Sequence, residues 1–194
     1  MKKTMKKNAI IIFSIMLLAA CSKENMDTNP STWTEDGSSS NIQAAKVSRA
    51  FSATINAAAD VNSPPTPCSG IVPFAAPDFN LSGTAIHLGQ LNAQLGRLHH
   101  VSCDVNVSTM LLTTNVSGQI AAANGDLIYY TGDDVVNVAN LLTQTGTTGA
   151  ITGTWTIGGG TGRFIGATGS LTINGTVDFV TNSFSCVCTG TINY

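Results

Sequence analysis

Residues 116–131 read VSGQIAAANGDLIYYT, and this stretch decides the fold class. Val116, Gly118, Ile120 and Ala122 recur at every second position, the period of a strand with one buried face. Asn124-Gly125 follows, a dipeptide that accepts positive φ at both turn positions and is the strongest short signal for a β-hairpin. Leu127-Ile128-Tyr129-Tyr130-Thr131 then resumes with the branched and aromatic residues that suit a half-buried pleated surface.

The same rhythm extends in both directions. Val47, Phe51, Ala53 and Ile55 alternate with Ser48, Ser52 and Thr54, and Val101, Cys103, Val105 and Val107 alternate with Ser102, Asp104, Asn106 and Ser108. Further runs cover 135–142, 150–157, 164–173, 176–180 and 184–193, separated by turn residues at the spacing of an all-β domain. Leu88, Leu91, Leu95 and Leu98 have helical spacing, but Gly89 and Gly96 interrupt them and predict a hairpin. The prolines in 63–67 (SPPTP) and 73–77 (PFAAP) exclude central strands and predict a long loop after the first strand. The expected fold is an antiparallel β-barrel of about eight strands, with a β-sandwich as the alternative. Glycine favours the barrel: ten of the thirty residues in 146–175 are glycine, as bends and barrel corners require. Closure also removes exposed edges, which matters where few charges are available to protect them.

The chain has 194 residues, 43% hydrophobic and only 10% charged, too apolar for a disordered protein. Four of its nine basic residues, Lys2, Lys3, Lys6 and Lys7, precede a short apolar run at 10–18 (IIIFSIMLL). Leu18-Ala19-Ala20-Cys21 follows. This anatomy predicts a signal peptide over 1–20, and its ending resembles the bacterial lipobox. That resemblance implies a lipoprotein: Cys21 becomes the acylated N-terminus, and palmitate-type chains anchor it at about 0.8 kcal/mol per buried methylene. Ser22 in place of Asp implies the outer membrane in a Gram-negative host. Residues 21–44 are polar and aperiodic and read as a flexible tether, leaving 45–194 as the barrel domain at the cell envelope. From Cys21 onward five basic residues face eleven acidic ones, which excludes an electrostatic nucleic-acid binder.

Three segments carry a resemblance: 84–89 (TAIHLG), 122–126 (AANGD) and 159–169 (GGTGRFIGATG). In this order they resemble a group of secreted bacterial lipoproteins. The last is also similar to the glycine-rich hairpin of the allene oxide cyclase and dirigent families. That similarity implies an eight-stranded antiparallel barrel with an apolar lumen. No catalytic residue of either family falls on a matching position, so no chemistry is carried over. A phosphate loop is excluded, because no Gly-Lys-Ser/Thr follows the glycines.

The chemistry-bearing residues are few. Between Cys68 and Tyr194 the charged residues are Asp78, Arg97, Asp104, Asp126, Asp133, Asp134, Arg163 and Asp178. Nothing in their spacing places a catalytic carboxylate pair, and Asp133-Asp134 after Gly132 reads as a solvated turn. His99 and His100 point to opposite faces of a strand and make a poor chelate, so neither a metal nor another cofactor is expected. His87 shares the parity of Leu81, Gly83 and Ala85; it either lines the lumen or lies on the surface. Tyr129 and Tyr130 present one ring to each face. Asp126 and Arg163 either bind ligand or cap turns and pair with each other. The candidate ligand contacts are therefore His87, Tyr129, Asp126 and Arg163. For an exported chain, Cys68, Cys103, Cys186 and Cys188 are disulfide candidates. Cys186 and Cys188 share a strand face, so each is expected to pair with one of the other two.

Three functions remain open. The barrel is a module binding a small apolar ligand, or a filled barrel acting as a structural protein on an envelope protein partner, or a cyclase or isomerase that shapes a bound substrate.

Overall fold

The computed structural model describes residues 46–70 and 74–194. The predicted signal peptide, Cys21 and the whole of the predicted tether lie outside the described residues. The period-two segments form strands β1 (Ser48–Ala59), β2 (Thr66–Pro67), β3 (Ala75–Ala76), β4 (Phe79–Ala85), β5 (Gly89–Gln90), β6 (Arg97–Asn106), β7 (Leu111–Ala121), β8 (Leu127–Asn137), β9 (Thr148–Gly160), β10 (Thr168–Asp178) and β11 (Ser183–Asn193). One helical turn, α1 (Ala139–Leu142), follows β8. The Asn124-Gly125 hairpin joins β7 to β8, with Gly125 at φ 90°, where only glycine is unstrained.

Eight strands form a closed antiparallel ring. β4, β6, β7, β8, β9, β10 and β11 each pair with the next, and β1 pairs with both β11 and β4. Side chains of one parity fill the interior. Phe51, Ala53, Ile55 and Ala57 of β1 are buried, as are Trp155 and Ile157 of β9 and Leu171 and Ile173 of β10. The glycine-rich segment after β9 does not simply restart a strand: Gly162–Phe164 is a 3-10 turn. It drives Phe164, 1% exposed, into one end of the barrel beside the buried Leu88 and Leu91. These two leucines belong to the connection between β4 and β6, where the predicted hairpin is reduced to the short β5.

Two bulges set which side chains face inward. The β6–β7 register shifts between His100 and Ser102, leaving Val101 as the extra residue, 60% exposed rather than part of the alternation. The β8–β9 register shifts at Tyr129/Tyr130, opposite Gly158. The ring is weakest between β4 and β6, which share only Phe79↔Leu98 and Asn80↔Arg97. Beyond this point β6 would present an open edge. Residues 60–70 and 74–78, a strap, cover it: Ser69 N–H donates to the Cys103 carbonyl and Val105 N–H donates to the Ser69 carbonyl, both at 2.9 Å. The disulfide Cys68–Cys103 fastens this strap. The expected disulfide pattern is thereby corrected. Cys186 and Cys188 are free and buried in the lumen, because alternation turns both sulfurs inward while Cys68 lies on the strap beside β6.

Candidate functional site

The two ends of the barrel differ. Phe164, Leu88 and Leu91 plug the end that holds the Asn124-Gly125 turn. The opposite end opens into a cavity of about 250 Å³. Leu112, Val136, Ile151 and Phe184 supply apolar wall, and residues 74–77 of the strap close one side.

The inner end of the cavity is polar. Asp134 on β8 and Thr114 on β7 are cross-strand partners on the inward face, 2% and 3% exposed. Asp134 Oδ1 accepts a hydrogen bond from Trp155 Nε1–H at 3.0 Å, and Trp155 stacks on Tyr130 with ring centroids 4.2 Å apart. Gly153 makes the room: a Cβ there would lie 2.1 Å from Asp134 Oδ1. Burial pushes the Asp134 carboxyl up to about 6, with Asp133 adding repulsion and the Trp155 N–H opposing the shift. Oδ2 takes no hydrogen bond from the described residues. Thr114 Oγ1 is buried without a partner among the described residues.

His100 lines the same cavity. Its Nδ1 lies 2.8 Å from the Pro77 carbonyl, which requires the proton on that nitrogen and leaves Nε2 as an acceptor. Burial holds its pKa below the usual histidine value despite the Pro77 bond and the nearby Asp78. Asp78 ties the strap to β6, accepting from Ser63 Oγ, from His99 Nδ1 at 2.6 Å and from His100 N–H at 3.0 Å. Burial acts to raise its pKa, but these bonds together hold it below the ordinary range.

The residues singled out from sequence lie elsewhere. His87 is exposed in the turn after β4, its Nε2 3.1 Å from the Ala50 carbonyl. Arg163 donates to the His87 carbonyl at 2.7 Å and approaches Asp126 Oδ2 at 3.7 Å. The structure thus brings His87, Asp126 and Arg163 together, but at the closed end. None of them lines the cavity, and Tyr129 points outward at 39% exposure. Strand β4 ends at Ala85, so the inward parity of Leu81 and Ala85 does not reach His87.

Asp134 is the residue that sequence reasoning missed, and Asp133-Asp134 is not a turn. β8 runs unbroken from Leu127 to Asn137, through Gly132. Counting by twos from Ile128 through Tyr130 and Gly132 would have placed Asp134 on the inward face. No family model, curated protein or solved structure matches this chain.

Proposed function

We propose that this chain is an exported, Cys21-anchored barrel that binds a small, largely apolar ligand in the cavity at its open end. One observation carries the reading: an apolar well of about 250 Å³ ends on the buried Thr114 hydroxyl, which has no hydrogen-bond partner among the described residues, and on the buried Asp134 carboxyl, which has only the Trp155 N–H. Natural interiors pair such groups because an unpaired one costs roughly 1–3 kcal/mol. A role confined to the outer surface gives these groups no purpose. The volume lies just under the roughly 300–1,000 Å³ of drug-sized sites, so the ligand is small. An eight-stranded ring is what the resemblance of 159–169 to allene oxide cyclase and dirigent hairpins implies, and the lipobox-like ending at Cys21 supports a position at the cell envelope.

Native mass spectrometry on protein purified without detergent tests the binding. A reproducible adduct released on denaturation is expected. A clean apo mass after exposure to host lipid extract would reject it. Metabolic labelling with palmitate tests the anchor, with loss of label expected in Cys21→Ala.

A further inference from the structure

Charge at the cavity narrows the ligand class, given that the cavity binds a ligand at all. Asp134 is a nearly inaccessible carboxylate with no cationic partner among the described residues, whose only ion pairs are His99–Asp78 and Arg163–Asp126. The basic side chains of the described residues are engaged elsewhere. Lys46 donates to the Gly166 carbonyl, Arg49 lies over the Tyr194 ring, and Arg97 donates to the Ala93 and Gly96 carbonyls. The titratable groups that line the cavity are Asp134, Asp178 and His100, and His100 is held neutral by burial. The site therefore carries negative charge with nothing to balance it.

The hydrogen-bonding inventory points the same way. Among the described residues Asp134 Oδ2 and His100 Nε2 are acceptors without partners, and the Thr114 hydroxyl is unpaired and can accept. A primary ammonium carries three N–H donors and one positive charge. A carboxylate-headed ligand would instead place like charge beside Asp134.

We propose that the cavity binds an amphipathic cation, a short apolar body ending in an ammonium group that pairs with Asp134 and reaches Thr114 and His100. The body lies along Leu112, Val136, Ile151 and Phe184. The ion pair forms in a site shielded from water, where a charge-assisted hydrogen bond is strongest.

Isothermal titration of the full chain at pH 7.5 with hexylammonium, hexanol and hexanoate tests this. Hexylammonium should bind about tenfold or more tightly than hexanol, and hexanoate should not bind. Asp134→Asn should remove the ammonium preference while leaving hexanol binding in place. Thr114→Val, which keeps the charge, should weaken hexylammonium by several-fold. Equal or tighter binding of hexanol, or ammonium affinity unchanged in Asp134→Asn, overturns the cation and leaves the pocket standing. If none of the three probes binds, the pocket reading fails with it.

Discussion

Replacing Asp134 with Asn should stabilise this protein, and by an amount that depends on pH. The carboxyl ionises near 3.8 when free and at about 6 in the barrel. It therefore holds its proton about 3 kcal/mol more tightly in the folded state. The sign follows from the raised folded value. Well below pH 3.8 the group is protonated in both states and costs nothing. Between 4 and 6 the unfolded chain releases its proton while the barrel keeps it, so stability falls as pH rises. Above about 6 the whole penalty is present. Asn keeps an oxygen for Trp155 Nε1–H and nearly the same shape, so packing is preserved. Urea unfolding of both proteins from pH 4 to 8 gives the stability difference directly. Asp78 and Asp178, both shifted downward, act with opposite sign but cancel in that difference. The advantage of the Asn variant should grow by about 2.4 kcal/mol between pH 4 and 7, since part of the penalty is already present at pH 4. A difference that is flat with pH, or that shrinks, would refute the assignment of a buried, penalised carboxylate.

Other perturbations separate the open end of the barrel from the closed one. His87→Ala should leave the adduct seen by native mass spectrometry unchanged, since His87 lies at the end away from the cavity; loss of the adduct would return it to the site. Phe164→Ala should destabilise the barrel by about 3–5 kcal/mol in urea without altering ligand preference, because it empties only the closed end. Opening the Cys68–Cys103 link, at a sequence separation of 35, should cost about 4 kcal/mol by loop entropy and weaken ligand retention, because it frees the strap that walls the cavity. Under the same non-denaturing conditions Cys186 and Cys188 should resist alkylation, since their mutual contact and burial push the Cys188 thiol well above its ordinary pKa. Gly153→Ala should displace the Asp134 carboxylate and cost about 1–3 kcal/mol, with retention of hexylammonium arguing against the placement.

Local order was legible in the sequence because it is written in adjacent residues. Period-two alternation fixed the strands and their inward faces wherever it ran unbroken, as in β1 and β7, and Asn124-Gly125 marked a hairpin that the structure contains. Prolines kept 63–67 and 74–77 out of the ring. What failed were readings that crossed an interruption. A bulge at Val101 shifts the parity of β6 midway and aims His100 inward. Gly132 looked like a break, yet it sits within β8, where the Thr154 carbonyl and the Trp155 indole of the neighbouring strand occupy the space a side chain would need.

Closure of the ring, the Cys68–Cys103 bond and the polar inner end of the cavity belong to tertiary structure alone. Each depends on residues far apart in the chain: β1 beside β11, the strap beside the unpaired edge of β6, Asp134 beside Trp155 and Thr114. Composition and spacing told which residues can form strands. Only the assembled barrel decided which end is packed and which stays open, because the short β4 leaves one stretch of β6 unpaired and the turn at Gly162–Phe164 sends its aromatic ring into the other end.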